Sequence, residues 1–249
     1  MADRTKDLIM EESRRVTWKE PVAVYLSSVV LIFALVALDS TVGLGGLLHP
    51  LVAAVFIGLP VFVMDRRKAD YAAYGITWSG AYRGTASALI LVLVIFPLFI
   101  LGAPLYWNIA DLISSGCEGG FFESIGSVYS SCSPVWPSGY VNVLFGHLII
   151  VALPEEFFYR GYLQSSLDEV FTARKRFLGA DLGWGFIIQA GLFALGHFTV
   201  DFNPARLGVF FPALAFGWLR AREGGIVGPI IFHTLCNMLM DLLLAGCRT

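Results

Sequence analysis

Apolar residues in this chain gather into seven long runs, at about 21–38, 47–64, 85–106, 140–167, 183–200, 205–220 and 225–245, without the strict alternation of strands or sustained heptads. A helix needs roughly 20 apolar residues to cross a bilayer core. The pattern therefore predicts an all-α fold, a polytopic integral membrane bundle of about seven transmembrane helices. The fourth run departs from the rest, because Glu155, Glu156, Arg160 and Gln164 sit inside it.

Composition agrees with a membrane domain. Of 249 residues, 57% are hydrophobic and 14% charged, against about 45–50% and about 25% in soluble domains. An ordinary soluble globular enzyme is excluded. The net charge is −2, from 17 Lys and Arg against 19 Asp and Glu, so no basic surface argues for nucleic acid as a partner. Residues 1–20 carry Arg4, Lys6, Arg14, Arg15 and Lys19 with no apolar signal core, and read as a retained charged cytoplasmic arm before a single membrane-embedded domain over 21–249. With the amino end inside, those five join Arg66, Arg67, Lys68, Arg83, Arg174, Lys175, Arg176, Arg220 and Arg222 on the cytoplasmic side, leaving Arg206 and Arg248 outside. The loop at 107–138 then faces outward. It has no Lys or Arg, and its Cys117 and Cys132 are either a small disulfide ring or two unpaired thiols. Cys236 and Cys247 read as small packing residues.

Ionisable residues at membrane depth are costly and mark function by default. Here they cluster, on Pro154-Glu155-Glu156-Phe157-Phe158-Tyr159-Arg160, Phe193-Ala194-Leu195-Gly196-His197 and His233-Thr234-Leu235-Cys236-Asn237. Glu156 and Arg160 are spaced i,i+4, so they share a helix face and can neutralise each other. Glu155 lies about 100° around the helix, without that partner, and is free to act as a base toward water. His233 and Asn237 are also i,i+4. Gly196, beside His197, leaves room for a neighbouring helix or a substrate backbone. Each residue alone also reads as interhelical glue; two Glu, one Arg, two His and one Asn from three helices together do not. His49, Asp39 and His147 lack such company and read as helix caps or interfacial residues.

These motifs resemble the CPBP group of intramembrane endopeptidases, which includes the type II CAAX-prenyl proteases and bacteriocin-processing or self-immunity (Abi) relatives. The resemblance covers about 140–240 and rests on Glu155-Glu156-x-x-x-Arg160, Phe193-x-x-x-His197, Phe216-Gly217-Trp218-Leu219-Arg220 and His233-x-x-x-Asn237. It implies a glutamate-dependent protease in which Glu155 and His197 activate a water, His233 and Asn237 form the oxyanion hole, and Glu156 and Arg160 support the site. No cofactor is implied. Zinc ranks second, since two His and two Glu permit a metal but the HExxH helix is missing. The implied partner is a membrane-anchored protein or peptide in the lipid bilayer, cut in trimming of a C-terminal sorting tail or a bacteriocin-type peptide, in a bacterial inner membrane. Prenyl-CAAX specificity does not carry over, because no isoprenoid groove is visible in the sequence. A proton-coupled transporter would also gather Glu, His and Arg at mid-membrane, but the chain shows no paired repeats. A silent scaffold is the other alternative. Helix arithmetic puts the site near mid-bilayer, and the outer loop favours entry from outside.

Overall fold

The computed structural model describes residues 16–114, 139–202 and 204–244. The Cys117 and Cys132 pair, Cys247 and most of the amino-terminal arm lie outside these. All seven apolar runs are helical: α1 (Lys19–Val42), α2 (Leu48–Arg67), α3 (Ala81–Ser114), α4 (Tyr140–Val170), α5 (Trp184–Asp201), α6 (Phe210–Glu223) and α7 (Val227–Leu244). Among the described residues, four apolar stretches are long enough to cross a membrane: Lys19–Val42, Gly45–Arg67, Ala81–Gly102 and Tyr140–Val170. The chain is an integral membrane protein. Its α3 shows why, since Leu89, Ile90, Leu93, Val94, Leu98 and Leu101 are all exposed, a surface that only lipid solvates at low cost.

Three boundaries differ from the sequence expectation. Helix α3 runs on to Ser114, into the first eight positions of the expected loop, because Leu105, Ile109, Leu112 and Ile113 continue a helical apolar spacing. The run at 205–220 splits into a 3-10 turn, Pro204–Val209, and α6. Pro212, which cannot donate to an interior turn, falls in the first turn of α6, where its missing N–H is harmless. Fourteen residues rise only about 21 Å, short of a ~30 Å core. Between α4 and α5 stands an antiparallel hairpin, β1 (Arg174–Phe177) and β2 (Ala180–Gly183). Its Leu178-Gly179 turn has φ of 46° and 81°, the left-handed pair that tight hairpin turns demand. Leucine is an uncommon residue there, so the turn leaves little trace in the sequence.

Packing builds the site from two sides. One cluster joins Tyr25 of α1, Phe56 and Met64 of α2, Phe158, Tyr159 and Tyr162 of α4, Phe193 of α5 and Ala213 of α6. The other joins Ala88 of α3, Phe216 and Leu219 of α6 and Phe232 of α7. Helices α3 and α7 touch backbone to backbone: a Cβ on Gly228 would stand 2.8 Å from the Gly84 carbonyl oxygen. Small residues at such crossings let membrane helices approach closely. Asp39 behaves as expected of a helix-end residue, its Oδ1 accepting the backbone N–H of Leu44 at 2.7 Å.

Candidate active site

Helix α4 is irregular where its polar residues lie. An α-helical turn, Leu153–Glu156, is flanked by π-helical turns at Gly146–Ala152 and Phe157–Gln164. Pro154 has no N–H to give the ladder, and wide turns of this kind recur at functional sites. The second π segment is buried throughout, from Phe157 to Gln164.

Glu156 and Arg160 are both fully buried and form the expected pair, the guanidinium Nη1 donating to Glu156 Oε1 at 2.7 Å. Arg160 also donates Nη2 to the Ala213 carbonyl at 3.3 Å and lies over the rings of Phe193 at 4.5 Å and Phe216 at 4.8 Å. A buried ion pair survives only with such further partners. The third member comes from α7: His233 Nδ1 meets the same Glu156 Oε1 at 2.8 Å, and its ring stacks on Phe216 at 4.8 Å between centroids. A carboxylate paired with Arg160 only accepts, so Nδ1 is the donor in this contact. His233 Nε2 then faces Glu155 Oε2 at 3.9 Å.

Glu155 points away from the ion pair, as its position around the helix requires. Its carboxylate borders a cavity of about 130 Å³ between α1, α2, α4 and α5, whose walls include Val29, Phe33, Val52, Phe56, Tyr159 and His197. Oε2 is buried with no hydrogen-bond partner among the described residues, leaving its lone pairs for a third party. His197 reaches the same cavity and donates Nδ1–H to the Phe193 carbonyl at 3.0 Å. A carbonyl cannot donate, so Nδ1 is the donor, and Nε2 has no hydrogen-bond partner among the described residues. Two acceptors on one wall can bind a water and take its proton.

Gly196 is needed here for a reason the sequence left open. A Cβ at this position would lie 2.8 Å from the Tyr159 hydroxyl, so the space serves a side chain of α4 and not a helix backbone.

Asn237 is half-buried one turn beyond His233, outside both the Glu156 network and the cavity wall. The expectation that His147 lacks company is corrected: its Nε2 meets Asp241 Oδ2 at 2.7 Å, α4 to α7. Sequence reasoning also passed over Tyr159 as a site residue, since an aromatic in an apolar run reads as packing. Among the described residues, no three His, Cys, Asp or Glu side chains converge as ligands for zinc. Arg160 and His233 both meet Glu156 Oε1, and Oε2 has no hydrogen-bond partner among the described residues.

Residues 137–239 match the family model described as Type II CAAX prenyl endopeptidase Rce1-like. The match spans α4 through most of α7, and with them all six candidate residues. Comparison with curated proteins and with solved structures returns no match.

Proposed function

Since residues 137–239 match a protease family of the CPBP and type II CAAX kind, we propose that this chain is an intramembrane endopeptidase of the glutamic type, hydrolysing a peptide bond in a membrane-associated protein or peptide. The observation that carries the reading is the juxtaposition of Glu155 and His197 on the wall of one cavity, each with an acceptor atom uncommitted among the described residues. A water held there gives one proton to Glu155 as its oxygen attacks the scissile carbonyl carbon, while the carbonyl π electrons move onto oxygen. When the C–N bond breaks, the departing amine takes the proton, which general acid–base catalysis requires to be returned. Glu156, Arg160 and His233 hold the Glu155 turn in place. His233 and Asn237 are the oxyanion donors implied by the family resemblance, and only His233 has an atom turned toward Glu155.

The cavity bears on the substrate. Its walls are mainly aliphatic and aromatic, and about 130 Å³ compares with the ~150 Å³ that accommodates one benzene ring. It suits a single apolar side chain beside the scissile bond better than a long isoprenoid chain, which favours a sorting tail or bacteriocin-type peptide. The test is a census of membrane-protein C-termini in cells carrying the wild type or Glu155→Ala. New C-termini confined to the wild type support the reading, and identical sets refute it.

A further inference from the structure

We propose that the β1–β2 hairpin, with Arg222 of α6 beside its tip, is a docking surface for anionic phospholipid in the leaflet on the side where α1 begins; the inference does not depend on the endopeptidase reading. The carboxyl end of α4, which leads into the hairpin, meets the start of α1 and the end of α2. There the Tyr162 hydroxyl donates to Glu20 Oε1 at 3.3 Å, and Arg67 Nη2 stands 3.8 Å from Glu169 Oε1. Strand β2 then passes without a linker into α5, whose first residue is the exposed Trp184. An indole at the start of a membrane helix favours the level where headgroups meet acyl chains. The covalent connections alone therefore hold the hairpin at the bilayer interface.

Its tip has the wrong chemistry for water. Phe177 and Leu178 are consecutive at the turn and 59% and 68% exposed. Leu178 holds a φ of 46°, a conformation that glycine or asparagine adopts at lower cost, so a large apolar side chain is kept where the backbone disfavours it. The projection is fixed. Ala180 of β2 is buried, Arg176 pairs with Asp181 across the strands at 3.2 Å, and Arg174 donates to the carbonyls of Asp168 and Phe171, which pins the base of the hairpin to the end of α4. Two apolar side chains held out in this way are buried only by the surrounding medium, and the acyl region is the medium that solvates them at low cost.

Charge selects the lipid. Arg174, Lys175 and Arg176 precede the tip, and Arg222 reaches it from α6, its Nε 3.9 Å from where a Cβ on Gly179 would stand. Arg174 and Arg176 are answered by Asp168 and Asp181, and Arg222 shares Glu223 with Arg83. Lys175 is exposed and makes no ion pair among the described residues. A net positive surface thus surrounds the two apolar side chains. Long basic side chains keep their charge at the phosphates while their neighbours sit below, the arrangement that a leaflet holding anionic phospholipid rewards. A soluble acidic partner would leave Phe177 and Leu178 uncovered.

The experiment uses the full chain in lipid nanodiscs, with the native cysteines replaced and a fluorescent NBD label on Leu178→Cys. Trace phosphatidylglycerol or phosphatidylcholine, each carrying the same doxyl quencher near the top of one acyl chain, is added to a phosphatidylcholine disc. Both lipids should quench, with a preference of roughly fivefold or more for phosphatidylglycerol at low salt. The preference should fall toward parity at high salt, as the attraction is screened, and in Lys175→Gln combined with Arg222→Gln. The salt comparison leaves every charge in place, so a double variant that fails to fold does not remove the test. Equal quenching by the two lipids at low salt overturns the proposal. Quenching by aqueous iodide and by neither lipid places the tip in water and also overturns it. So does shielding of the label only in discs that hold two copies, which assigns the surface to a second copy of this chain.

Discussion

His233 Nδ1 and Glu156 Oε1 lie 2.8 Å apart, closing a contact between α7 and α4 across 77 positions of sequence. Glu156 Oε1 thereby accepts from two donors, His233 and Arg160, and the buried negative charge is shared between an imidazole N–H and a guanidinium.

Removing one partner of this buried group is expected to be severe. Arg160→Ala leaves the Glu156 carboxylate at zero exposure without its cation, with the His233 N–H as its remaining donor among the described residues, and should cost about 3–5 kcal/mol. Glu156→Gln combined with Arg160→Gln should fold better than Arg160→Ala, because neither charge is then stranded. Denaturation in mild detergent checks this, and strictly additive losses would show that the two residues do not interact.

Gly196→Ala is expected to overpack the site. Its methyl would meet the Tyr159 oxygen at 2.8 Å, and the ring is flanked by Phe193 at 4.9 Å and Phe158 at 5.0 Å. Destabilisation of about 1–3 kcal/mol follows. Adding Tyr159→Phe removes the clashing oxygen and should recover part of the lost unfolding temperature.

The His147 and Asp241 pair gives a contrast. Both side chains are part-exposed, at 21% and 30%, so their coupling in a double-mutant cycle should be at most about 1 kcal/mol. That is well below the effect at Glu156 and Arg160. Equal couplings at the two pairs would contradict the assignment of the buried pair as the structural anchor.

Much of this arrangement was legible in the sequence. Seven apolar runs became seven helices, and i,i+4 spacing alone paired Glu156 with Arg160. Two kinds of information were out of reach. Tyr159 lies i,i+4 from Glu155 and so shares its face, but an aromatic side chain in an apolar run reads as packing, and only the arrangement of α1, α2 and α5 around that face shows that it borders a cavity. Contacts between helices need their relative direction. Once Glu156 is known to meet His233, the antiparallel run of α4 and α7 makes His147, nine positions before Glu156, and Asp241, eight after His233, natural partners. Nothing local to either residue announces that.

Metal dependence has its own outcome. Hydrolysis driven by Glu155 and His197 requires no ion, so cleavage in detergent should survive exhaustive treatment with EDTA and phenanthroline. Loss restored specifically by zinc would promote the histidines to ligands.

The central claim is that Glu155 drives attack of water on a peptide bond. Membranes carrying the wild type, incubated in water enriched in oxygen-18, should yield new peptide C-termini that each gain one heavy oxygen, and membranes carrying the nearly isosteric Glu155→Gln should yield none of them. The same labelled C-termini, at the same rate, from Glu155→Gln would contradict the account.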